Sequence, residues 1–193
     1  MNRAATANAV FVPLLFIVIY MLPLSSAIGG REVFDLFMQV TDSLPAHALI
    51  EGIFFVLFVA YALKSLALIY SSSVGSGFCW NLAGVTYVAR RLAMFVSIPF
   101  VAHFFIVARL PYIFTSSFLD FAKMKSLYGD GTMLAFFCAG FSALVFVGTS
   151  SAALMAFEWG LTVSARSRLA ALVAAWMTFV ALSAWGARVI VAF

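Results

Sequence analysis

The sequence predicts an all-α fold: an integral membrane bundle of five transmembrane helices, forming a single anchor domain over residues 1–193. Two observations carry this. Long apolar blocks almost free of charge recur five times, and 65% of the residues are hydrophobic while only 9% are charged. A bilayer core takes about 20 consecutive apolar residues in a helix, whereas a soluble domain holds about 25% charged residues. Almost nothing is left over for a soluble domain, so water-soluble chemistry has to come from a partner.

The spans are expected at about 9–28, 47–70, 90–110, 131–157 and 168–192. The first is free of charge and follows a single basic residue, Arg3. Its length favours a retained helix over a signal peptide cleaved near Ser25-Ser26-Ala27. After it, Val33, Phe34, Leu36, Phe37 and Val40 mark a short helix in the membrane interface with its aromatic face toward the bundle. The second span carries only Glu51 near one end and Lys64 near the other, and is followed by a Ser- and Gly-rich loop at 71–89. The third opens at Arg90-Arg91; beyond it Phe114, Phe118, Phe121 and Met124 repeat the interfacial pattern. The fourth contains Gly140, Gly148 and Ala152, and the fifth Ala171 and Ala175, small residues that let helices approach closely.

Five spans put the termini on opposite sides of the membrane. With the N-terminus in the cytoplasm, Arg3, Lys64, Arg90, Arg91, Arg166 and Arg168 lie inside and Arg31, Arg109, Lys123, Lys125 and Arg188 outside. The bias of basic residues favours this orientation by six to five, and most acidic residues fall outside. A bacterial-type inner (cytoplasmic) membrane, crossed several times, is the expected location. The net charge of +4 is scattered among short loops, so no nucleic-acid surface is expected. Cys79 and Cys138 suggest neither a disulfide nor a thiolate metal site.

Ionisable groups within spans are costly and are functional candidates by default. His103 lies about 10 Å deep from the outer end of the third span, at the helical rise of about 1.5 Å per residue. A histidine there suits a haem ligand, a proton relay, a quinone partner or a packing residue. Lys64 can snorkel to the inner surface, where Arg90 and Arg91 complete a basic rim. Glu51 and Glu158, near span ends, are either hydrated or, if buried, proton carriers.

Several segments together resemble one family. Gly29-Gly30 is followed by Val33-Phe34; Ser43-Leu44-Pro45 and Glu51 introduce the second span; Phe78 lies twelve residues before Arg90. The run Trp159-Gly160-Leu161-Thr162-Val163-Ser164-Ala165-Arg166-Ser167 and the terminal Leu182–Arg188 stretch complete the pattern. In this order the chain resembles the cytochrome b membrane-anchor subunit of succinate dehydrogenases and fumarate reductases, in its single-subunit, five-helix, dihaem form. The resemblance implies a subunit with no catalysis of its own, bound to a flavoprotein and an iron–sulfur subunit and serving quinone.

The resemblance also implies four haem-ligating histidines, one on each of the first four helices. In register, those positions fall at Tyr20 with Met21 beside it, Tyr61 or Ala62, His103 and Val147. The inner pair offers no bis-imidazole site. An outer haem b with its iron on His103 and either Tyr20 or Met21 is chemically open, but a haem-free anchor is the expectation. Quinone would then meet the iron–sulfur partner near the inner face, among Ser71, Ser72, Trp80, Arg90, Lys64 and Tyr61. The competing reading is a small-molecule or ion transport component with His103 and Lys64 in its path.

Overall fold

A computed structural model describes residues 3–43, 45–71, 82–111 and 120–193, with the side chains of 3–5, 45–48, 68, 69 and 71 outside the description. Five helices are long and apolar enough to cross a membrane: Thr6–Gly29, Leu49–Ala67, Leu82–Arg109, Gly131–Glu158 and Ala165–Val191. They are the first to fifth spans below, and the described residues contain no strand. The end where the chain begins is the N-face, and the opposite end is the C-face.

Local chemistry sets the boundaries. Asp130 caps the fourth span by accepting from Thr132 N at 3.3 Å. Gly160 takes φ 74°, a left-handed conformation open to glycine, and turns the chain out of the fourth span. Ser164 and Ser167 then close a reciprocal capping box on the fifth. The conspicuous Trp159–Ser167 run is thus, first of all, a well-terminated helix–turn–helix connection. The third helix begins at Leu82, so the expected start at Arg90 is too late. The apolar run Leu82–Ala89 already holds the helical pattern, and Arg90 and Arg91 sit two turns inside rather than at the mouth.

The fourth span occupies the middle, against the first, third and fifth, while the second packs on the first and third. The fifth is peripheral. The shared core is aromatic, with Phe16, Phe54, Phe100, Phe104 and Phe137 all buried. Phe16 meets Phe100 at 5.5 Å and Phe104 at 5.3 Å edge-on, the orientation ring quadrupoles favour. Close approach depends on glycine. A methyl group at Gly140 would overlap the Cβ and Cγ of Phe100, and one at Gly148 would lie 2.9 Å from Pro13. Because the Gly140 overlap is at the base of a buried ring, the ring cannot swing clear. Gly140→Ala should therefore cost about 1–3 kcal/mol, read as a lowered unfolding midpoint in detergent.

At the C-face, helices Arg31–Ser43 and Phe121–Tyr128 lie beside the spans. Phe34 packs on Phe193 at 5.2 Å and Phe121 at 5.9 Å, and Phe121 N donates to Asp35 at 2.8 Å, tying the two helices together. The aromatic face toward the bundle is thus Phe34 with Met38; Val33, Leu36, Phe37 and Val40 are exposed and face the other way, toward the lipid interface. Phe114 and Phe118 lie outside the described residues. Tyr128, fully buried against Phe137 at 4.7 Å, has its phenol pushed up by burial and stays neutral.

Candidate functional site

Helical irregularities aim the buried polar groups. The first span is π-helical over Ile17–Met21 and the third over Phe105–Arg109. A π-turn adds one residue to a helical turn, so the residues beyond it are rotated by about 100° relative to a regular helix. Each π-turn lies beyond an intrahelical proline, Pro13 in the first span and Pro99 in the third. At the end of the second π-turn Arg109 points into the bundle and is only 1% exposed.

There it joins charges from two other elements. Arg109 Nε donates to Glu51 at 2.6 Å and its Nη2 to Asp42 at 3.3 Å, with both carboxylates buried. The guanidinium also lies over the Tyr20 ring, 5.9 Å from its centre. Beside this group is a cavity of about 10 Å³, room for one water, lined by Tyr20, Thr41, Arg109 and apolar neighbours. Read from sequence, Arg109 is an outer-side charge and Glu51 a residue that is either hydrated or buried; the structure joins them, with Asp42, in one buried ion cluster at the C-face. The available signal was their matching depth on neighbouring helices.

The second polar group runs along the third span from the N-face to mid-membrane. Thr86, Arg90 and Ser97 share one face by helical spacing, and all three are buried. Tyr61 Oη lies 2.9 Å from Ser97 Oγ, which itself donates to the Met94 carbonyl at 3.1 Å. The serine proton is committed to Met94, so Tyr61 is the donor to Ser97. Buried Ser65 is one turn further along the second span. Trp176 Nε1 donates to Thr86 at 3.0 Å, and Thr6 Oγ1 to Glu158 at 3.3 Å. Arg90 lies within electrostatic reach of Glu158, Tyr87 and Tyr61. All five spans therefore contribute to this cluster.

The expected site residues divide accordingly. Arg90 and Tyr61 lie within electrostatic reach of each other. Lys64 is exposed and outside the buried cluster. Ser71 ends the helix Pro45–Ser71, its side chain beyond the description, while Ser72 and Trp80 lie outside the described residues. Glu158, Ser97 and Ser65 were not picked out from the sequence as parts of this pocket. Their i, i+7 and i, i+4 spacings were visible, but not which faces meet.

The register positions of the four haem ligands are also placed. Tyr20 and Met21 are buried, and His103 is half-buried, with its ring 5.3 Å from Phe136 and 5.9 Å from Phe137. Tyr20 meets Phe104 at 5.2 Å and Phe104 meets Phe137 at 6.3 Å, so Tyr20 and His103 belong to one aromatic cluster. At the other pair, the Tyr61 hydroxyl is engaged by Ser97, Ala62 has no donor, and Val147 is fully buried. Of the four register positions, only His103 carries an imidazole.

The chain is similar to the succinate dehydrogenase cytochrome b558 subunit of Bacillus subtilis (strain 168), with 24% identity over 180 residues, covering 93% of this chain and 89% of that protein. No family model and no solved structure matches it.

Proposed function

We propose that this chain is the membrane anchor of a succinate dehydrogenase or fumarate reductase type complex, haem-free, with quinone handled at its N-face. The observation that carries the anchor reading is the collinear similarity to a succinate dehydrogenase membrane subunit across 93% of the chain. In this reading the N-face is cytoplasmic and an iron–sulfur subunit, itself bound to a flavoprotein, docks there. Trp159, Leu161 and Val163 are exposed beside the exposed Arg166 and Arg168, a mixed apolar and basic surface suited to a protein partner.

The haem-free reading rests on the donor set, in which His103 is the one imidazole among the four register positions. Without haems, an electron entering at the N-face has no relay across a hydrocarbon core about 30 Å thick. The quinone head group must come to the N-face instead. There Arg90 offers cationic hydrogen-bond donors to a quinone carbonyl, and the Tyr61–Ser97 pair, deeper toward mid-membrane, offers hydroxyls. These residues orient the head group and stabilise the negative charge that develops on its oxygens during reduction. The transport reading has less support, since Lys64 is exposed and His103 packs among phenylalanines.

Affinity purification through a tag on this chain should recover a flavoprotein and an iron–sulfur protein, and a pyridine haemochrome assay on that complex should find no haem. A stable complex lacking both partners sinks the anchor reading. Two haems per copy would overturn the haem-free one.

A further inference from the structure

Three buried side-chain oxygens with no hydrogen-bond partner among the described residues lie toward the N-face: Glu158 Oε2, Thr162 Oγ1 and Ser151 Oγ. An unpaired buried polar atom is costly, a cost that water relieves where it can reach several such groups. Glu158 and Ser151 are seven residues apart and share a face of the fourth span, so Ser151 is about 10 Å further into the membrane than Glu158. On the third span Ser97 is likewise seven residues beyond Arg90, with Tyr61 bonded to it at 2.9 Å. Two polar rows thus run inward from the N-face on adjacent helices, the third and fourth spans being packed together. Glu158 stands at their outer end, half-buried and held by Thr6.

We propose that Glu158 is the proton-uptake group for quinone reduction, and that Ser151 and the Tyr61–Ser97 pair line the hydrated path it feeds. This rests on the reading above, in which the iron–sulfur subunit delivers electrons at the same face. The balance is simple. Two electrons from the partner's iron–sulfur cluster and two protons convert quinone to quinol; each carbonyl C=O becomes C–O–H, and the cluster is oxidised in two one-electron steps. Protons leave the Glu158 carboxyl for the path, and the carboxylate is reprotonated from water at the N-face. Charged and titratable groups facing Glu158 are Arg90 and, through it, Tyr87 and Tyr61. Arg90, within electrostatic reach of Glu158, supplies a positive charge beside the path. Quinol oxidation would run the same steps backwards.

The test uses the intact complex with succinate as donor and two acceptors, a short-chain quinone and ferricyanide, which takes electrons without this subunit. Glu158→Gln should lower quinone turnover roughly 10²-fold, the low end for a lost general acid, with ferricyanide activity and the KM for quinone kept. The loss should deepen as pH rises and proton supply thins, and Glu158→Asp should recover part of the rate. Ser151→Ala is the second variant, decisive if Glu158→Gln does not assemble. Its hydroxyl makes no protein hydrogen bond among the described residues, so a structural role predicts no loss, whereas the path predicts slower quinone turnover and a larger solvent deuterium effect. Unchanged quinone turnover in Glu158→Gln, or in Ser151→Ala where that variant decides, overturns the proposal and leaves the anchor reading standing. Wild-type complex without succinate–ferricyanide activity would instead remove the anchor reading itself.

Discussion

Arg109→Met should destabilise the bundle by about 3–5 kcal/mol, the cost of leaving buried charge uncompensated. The arginine is 1% exposed and is bonded to both Glu51 and Asp42, so its removal strands two carboxylates away from water. Methionine keeps much of the volume, which isolates the charge effect from a cavity. The triple variant Arg109→Met, Glu51→Gln, Asp42→Asn should regain most of the loss, because neutral amides no longer need the guanidinium. Thermal unfolding in detergent is the measurement. A single variant as stable as wild type would mean that water reaches the carboxylates, contrary to their burial.

Arg90→Ala should abolish most quinone-dependent turnover while sparing electron transfer to a soluble acceptor. The side chain is buried at the N-face among hydroxyls, and a charge-assisted hydrogen bond to a quinone oxygen strengthens as negative charge develops there. Loss of such a donor typically costs about 10²–10³-fold in rate. Equal loss with both acceptors would point to failed assembly rather than to a quinone contact. Steep dependence of wild-type turnover on membrane potential would place quinone at the C-face, near His103.

Much of this architecture was legible in the sequence because the bilayer imposes a coarse rule: each crossing must be long, apolar and helical. The five spans come from that rule alone, and the two interfacial helices from the amphipathic runs between them. Boundaries marked by charge were less secure. Arg90 looked like a helix mouth because arginine inside a span is costly, yet the helix starts at Leu82 and the arginine is accommodated among partners from other spans. Arg109 was harder still. A regular helix through residues 105–109 would rotate it elsewhere, and nothing local in Phe105–Arg109 announces a π-turn. The sites depend on which helical faces meet, a property of packing rather than of any one segment. Conversely, the absence of three of four expected histidines was plain in the sequence.

The turn at Gly160 and the capping box at Ser164 have a consequence for biogenesis. Between Glu158 and Ala165 only six residues connect two helices of 28 and 27 residues. So short a connection cannot wait on one side of the membrane while the next helix emerges far behind it. The last two helices should emerge in close succession and pair as an antiparallel hairpin, with Arg166 and Arg168 at the N-face. Lengthening this connection would uncouple their entry. Cleavage of chains arrested during synthesis, before and after Val191 leaves the ribosome, would then find the fourth helix inserted alone.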